Sequence, residues 1–176
     1  MTQPPRIPRD WLQPQWPAPA GVRALCTTRA GGVSTGPCAS LNLGSHVGDD
    51  PSAVQANRQR LQAVVQGATP GARAVFLNQV HGTAVATINP ATPDGTEADA
   101  CVATQPGAVC TIMVADCLPV LLAHGSGAVV GAAHAGWRGL AGTGGVGVLE
   151  GVFERFKALA LSDKALAAIK NESNGM

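Results

Sequence analysis

Apolar positions in this chain fall into short dense runs separated by stretches of Gly, Ser, Asn and Pro. Residues 1–21 are Pro-rich, which predicts an extended lead-in with Trp11 and Trp16 as anchors. The run VRALCTTR (22–29) is rich in apolar and β-branched residues and reads as a strand. A long loop follows over 30–50, dense in Gly, Ser and Asn, and loops of that length are often functional. Asp50 then suits a helix N-cap and Pro51 the first helical position. Val54, Leu61, Val64 and Val65 recur on one face, so the spacing predicts a helix from Pro51 to Gln66.

Beyond that helix the period changes. The runs 72–80 and 83–88 read as strands on either side of a break at His81-Gly82. The runs 107–116, 118–124 and 127–135 are strongly apolar and too short between breaks for helices, so buried strands are expected. From Val146 to Ala160, Leu149, Val152, Phe153, Phe156 and Leu159 recur at helical spacing. The tail 161–176 is expected to form a short, weak helix at best. With no internal repeat and no linker inside 22–160, the pattern predicts one α+β domain over those residues, layered and with mixed sheets.

Composition narrows the function classes. The chain has 176 residues, 45% hydrophobic and 13% charged, which is a globular balance. A net charge of +1 gives no electrostatic case for nucleic acid or an anionic membrane surface. Aromatics are 3% with no tyrosine, which argues against a base-stacking single-strand surface. No apolar run suits a signal peptide or a membrane span, and five cysteines without a CxxC read as reduced thiols, so a cytoplasmic protein is expected. No GxGxxG follows a strand and no Walker A sequence is present.

The candidate chemistry lies at strand ends. Of four histidines, His81 in NQVHG and His134 in AAHAG each close an apolar strand beside a small residue. Cys117 in VADCLPVLL occupies a similar break. Two imidazoles and a thiolate suit Zn²⁺, and three protein ligands leave the open fourth position of a catalytic site. The plainer alternatives stand beside this reading: a lone strand-end histidine is more often a hydrogen-bonded structural residue, and a lone cysteine in an apolar run more often core. Cys110 is mid-strand and a decoy; His124 and His46 are reserve ligands. Asp116 could accept a hydrogen bond from a ligand histidine or a substrate, or cap the turn before Pro119. Arg29 and Arg138 are the natural anion holders, with surface ion pairs as the alternative.

Five motifs, met in order, carry a resemblance. They are TTRAGGVSTGPCASLNLGSHVGDDPSAVQANRQRL (27–61), LNQVHG (77–82), ADA (98–100), VADCLPVLL (114–122) and AAHAGWRGLAG (132–142). Together they resemble the YfiH/PgeF family, whose members have been called laccase-domain proteins, polyphenol oxidases and purine nucleoside phosphorylases. The resemblance covers residues 22–160 and implies a layered α/β sandwich with zinc on His81, Cys117 and His134. It implies phosphorolysis of adenosine, inosine, guanosine and methylthioadenosine, deamination of adenosine, and a role in editing peptidoglycan precursors. Purine nucleosides and phosphate would be the partners. Asp116 and Arg138 are then the candidate catalytic residues, and Arg29, Ser34, Asn42, His46 and Arg138 the candidate substrate and phosphate contacts.

The chain departs from the family after HAGWRGLAG. The motifs that close longer members are absent, so a fragment lacking the C-terminal third of the domain is expected, with an atypical tail over 161–176. Two further readings follow. One is a copper-dependent polyphenol oxidase; Cu²⁺ would bind the same three ligands, but a trinuclear cluster plus a blue site needs on the order of ten histidines. The other is a zinc-binding fragment without turnover. In the leading reading, Trp137 is expected to pack beneath its loop, with packing against the purine as the alternative.

Overall fold

The computed structural model describes residues 6–173, with side chains through residue 162. Among them are six strands and three helices: α1 (Pro51–Ala68), β1 (Arg73–Phe76), β2 (Val85–Thr87), β3 (Ala100–Ala103), β4 (Ala108–Thr111), β5 (Leu118–Ala123), β6 (Val130–Ala135), α2 (Trp137–Ala141) and α3 (Val148–Ser173). The α+β class with mixed sheets expected from the pattern is the one observed. The chain divides into two compact units, one of Met1–Pro17 with Arg23–Ala74, the other of Ala18–Val22 with Val75–Met176.

The first unit is organised around α1. Asp50 caps it by accepting from the Ser52 amide, and Pro51 takes the first turn. Val54, Leu61, Val64 and Val65 are buried, as their spacing predicts, but so is Asn57 on the same helix, at 0% exposure. Its amide donates to Ser34 Oγ (2.9 Å), Ser40 O (3.1 Å) and Asn42 O (2.8 Å), and its oxygen accepts from the Val33 amide (2.9 Å). One helical side chain thus satisfies the backbone of a loop that has almost no regular structure. The stretch 22–29 is not a strand: Cys26 makes one bridge, to Leu12, and Trp11 is buried beside it. β-Branched content alone did not make a ladder there: among the described residues the run's other backbone bonds are isolated ones, from Ser40 and Leu41 to the Arg29 carbonyl and from Val22 to Pro19.

The second unit is layered. A four-stranded mixed sheet has the order β2-β3-β6-β5, with β2 and β3 parallel and the other neighbours antiparallel. On one face Ala100, Val102, Ala133 and Ala135 pack against Val148, Val152, Phe156 and Ala160 of α3. On the other, Cys101 and Ala103 pack with Val75, Leu77, Ile88 and Ala98. β1 and β4 form a separate two-stranded sheet. Successive residues of β3 therefore alternate between two cores, which is why all four of its residues are buried.

The strands are shorter than their apolar runs because turns and the site loops consume the ends. Two elements were not expected. β3 is four small residues with no alternation to read, and α2 is a single turn of helix inside a glycine-rich run. α3 continues to Ser173, through most of the 161–176 tail expected to form a short, weak helix at best, and Ala, Leu and Lys are good helix formers. No helix among the described residues is long and apolar enough to cross a membrane.

Two measurements test the first unit. Asn57→Ala orphans the Val33 amide and the loop carbonyls and should lower the urea-unfolding free energy by about 2–4 kcal/mol. Hydrogen bonds from Ser34 and Asn42 hold the Asp49 carboxyl below its ordinary 3.8. Because the folded value is the lower one, this stabilisation is present above the ordinary value and is lost as pH falls through the folded one. Acid titration should therefore show Asp49→Asn less stable than the parent at neutral pH, with the difference closing at acid pH.

Candidate metal centre

Strand register brings the three sequence-predicted ligands together. Leu118 pairs with Ala135 in the antiparallel β5–β6 ladder, so Cys117, one residue before β5, lies opposite Gly136, one residue after β6. Ala100 pairs with Ala133 in the β3–β6 ladder, so Asp99 lies opposite His134. Val85 pairs with Ala100 in the parallel β2–β3 ladder, which puts the turn at 80–82 at the same rim. The N-terminal ends of β2, β3 and β5 and the C-terminal end of β6 thus share one edge. There the ligand atoms of His81, Cys117 and His134 all lie within 4.8 Å of one another. The two imidazoles meet edge-on with centroids 4.7 Å apart.

Each ligand is aimed by its local backbone. His134 belongs to β6 and is 4% exposed. Its Nδ1 lies 2.8 Å from Asp99 Oδ1, which leaves Nε2 to face outward. His81 has φ +60°, the left-handed region that few non-glycine residues adopt, and it is exposed. Gln79 grips the Met113 backbone from both sides, donating to its carbonyl and accepting from its amide at 2.8 Å each, and so anchors the loop that leads to Cys117. The Cys117 thiol is pushed up by partial desolvation and then by the neighbouring Asp116 carboxylate. A metal ion would have to displace its proton.

The small residues of the HAGWRG segment have a steric reason. A β-carbon at Gly136 would stand 2.9 Å from Cys117 Sγ and 3.0 Å from His81 Cδ2. One at Gly139 would stand 2.9 Å from the Gly82 carbonyl. Glycine at both positions lets β6 and α2 come against the ligands.

The donor set fits a divalent metal: two imidazole nitrogens and one sulfur at one rim, with a carboxylate behind one imidazole. That carboxylate is Asp99, not Asp116. Asp99 is 0% exposed, whereas Asp116 is exposed beside Cys117. Its only sequence signal was an acidic residue set inside the small apolar run ADAC. Among the reserve ligands, His124 closes the far end of β5, with Nδ1 2.7 Å from Ser126 Oγ, and His46 is an exposed loop residue of the first unit. Cys110 packs with Cys101 in the core, and that contact, with burial, pushes its thiol well up.

The other candidates occupy varied settings. Arg29 donates through Nε and Nη2 to the Ala39 carbonyl (2.8 and 2.5 Å) and through Nη2 to Pro37 O (3.4 Å). Ser34 and Asn42 both donate to Asp49 Oδ2. Arg138 is exposed on α2, its guanidinium 5.2 Å from the Trp137 ring centroid. Trp137 does not pack beneath its loop: it is 73% exposed, because the close approach of α2 is made by Gly139 on its other side.

Comparison with known proteins gives a consistent set of relatives. The family described as multi-copper polyphenol oxidoreductase laccase matches residues 23–170. Purine nucleoside phosphorylase PA4543 of Pseudomonas aeruginosa is 54% identical over 140 residues, 80% of this chain and 53% of that protein. Purine nucleoside phosphorylase YfiH of Escherichia coli is 50% identical over 139 residues, 79% of this chain and 54% of that one. Among solved structures, Neisseria meningitidis protein NMB0706 is 47% identical with a TM-score of 0.76, over 85% of this chain and 58% of that one. YlmD from Geobacillus stearothermophilus is 37% identical with a TM-score of 0.68, over 80% of this chain and 54% of that one. The chain spans about half the length of the curated relatives it matches.

The rim predicts a steric test. Gly136→Ala should keep the fold, read by far-UV circular dichroism, and weaken zinc binding at least tenfold in a chelator competition, since the new methyl group must move Cys117 or His81.

Proposed function

This chain belongs to the family described as multi-copper polyphenol oxidoreductase laccase, and we propose that it acts as a zinc-dependent purine nucleoside phosphorylase that also deaminates adenosine. The observation that carries this reading is the convergence of His81, Cys117 and His134 at one open rim. The names of the relatives support the substrate class.

A divalent ion on those three ligands supplies Lewis acidity. The surrounding residues do the rest. Arg138 offers a two-pronged fork to phosphate, and it is the better choice than Arg29, whose Nε and Nη2 are engaged by loop carbonyls. Trp137 offers an exposed indole face on which a purine can stack. Asp116, exposed beside Cys117, would carry a proton. In phosphorolysis a phosphate oxygen bonds to ribose C1′ as the bond to the purine nitrogen breaks, and the purine leaves with a proton. In deamination water adds at C6 and ammonia leaves. Ser34 and Asn42 are tied to Asp49, and these bonds hold the shape of their loop.

Copper chemistry is the second reading, favoured by the description of the family and by a donor set that also holds a single copper. Four histidines do not furnish a multi-copper cluster.

The test is incubation of zinc-loaded protein with adenosine and phosphate, with products separated by chromatography. Adenine with ribose 1-phosphate, and inosine from deamination, are expected and should vanish in Cys117→Ala. Trp137→Ala should raise KM about tenfold with little change in kcat, matching the loss of one stacking contact. Product formation unchanged in Cys117→Ala, or no product from the zinc-loaded chain, contradicts the proposal. Absorbance near ~600 nm with phenol oxidation on copper loading would favour the second reading.

A further inference from the structure

We propose that Asp99 is the positioning residue of the metal centre: one buried carboxylate that both selects the tautomer of His134 and holds the turn that presents His81. The proposal rests on the metal half of the functional reading and is independent of its nucleoside half.

The carboxylate is fully engaged. Oδ1 accepts from the His81 amide (2.9 Å) and faces His134 Nδ1 (2.8 Å). Oδ2 accepts from the Val80 amide (3.1 Å) and the Gly82 amide (2.7 Å). The Asp99 carbonyl accepts from the His134 amide at 2.7 Å. Four donors use the acceptor sites an ionised carboxylate has. Three of them are consecutive amides, and consecutive amides converge on one anion when the backbone between them enters the left-handed region. His81 does so, at φ +60°. The anion therefore holds a conformation that histidine would not otherwise keep, and that conformation presents the His81 ring.

The same oxygen sets the chemistry of the second ligand. His134 Nδ1 lies 2.8 Å from Asp99 Oδ1, and an ionised carboxylate only accepts, which assigns the proton to Nδ1 and the lone pair to Nε2. Two ligands from separate segments are thus prepared by one side chain before any metal arrives.

No neutral isostere can replace it. Asparagine would turn NH₂ toward amides or the imidazole N–H, setting donor against donor.

The experiment uses the metal-free wild-type protein first. A long-range ¹H–¹⁵N correlation spectrum at neutral pH should show His134 with its proton on Nδ1. Asp99→Asn should then bind Zn²⁺ about 10- to 100-fold more weakly in a chelator competition. The Co²⁺-loaded variant should also show shifted and weakened ligand-field (d–d) bands, a change that mere loss of stability would not produce in protein still folded by circular dichroism. An Nε2–H tautomer in the wild type, or a folded Asp99→Asn protein with wild-type zinc affinity, overturns the proposal. If Asp99→Asn does not fold, the wild-type tautomer decides alone. Neither readout uses nucleoside turnover, so failure of phosphorolysis and failure of this proposal are separable.

Discussion

A carboxylate with no exposure to solvent accepts hydrogen bonds from three successive backbone amides and one imidazole, and the rim of the sheet is arranged around it. Burying such a charge without partners costs several kcal/mol, so the four donors must stay in place for the strand that carries Asp99 to stay buried. The constraint runs in both directions. β3 is sandwiched between two cores and fixes where the carboxylate sits. The carboxylate in turn fixes the 80–82 turn and the face that His134 presents.

The sheet converts this local constraint into a site. Antiparallel pairing sets the start of β5 and the start of β3 against the end of β6, so Cys117 and Asp99, 17 and 35 positions from His134 in sequence, become its neighbours in space. A one-residue slip in either ladder would turn His134 or Cys117 to the other face. The alanines and glycines of β6 and α2 keep that register compatible with close approach. At Gly136 a β-carbon would stand 2.9 Å from Cys117 Sγ and 3.0 Å from His81 Cδ2, so any side chain there must push a ligand residue aside.

Much of this was legible in the residues, for identifiable reasons. The helix α1 announced itself by Asp50, Pro51 and a regular apolar face, all local signals. His81, Cys117 and His134 stood out because reactive side chains at strand breaks are rare in a run of small apolar residues. Their convergence, however, depends on ladder register, which no local pattern encodes. Asp99 stood in the ADA motif but received no role, because β3 is four small residues without alternation and nothing marked the aspartate as the residue entering a buried strand. The same limit applies to Asn57: a polar residue on an apolar helix face signals nothing until the loop it satisfies is in view. The run at 22–29 erred the other way, since its strand-like composition meets one isolated bridge, to Leu12, and no ladder among the described residues. Trp137 was misplaced because size suggested burial, while the packing of α2 is done by glycine.

X-ray absorption at the zinc edge of the zinc-loaded protein addresses the central claim most directly. The account predicts one ion per chain with a first shell of two nitrogen ligands near ~2.0 Å, one sulfur near ~2.3 Å and one further light atom, and loss of the sulfur shell in Cys117→Ser. A shell of oxygens alone, or a sulfur shell that survives Cys117→Ser, would contradict it.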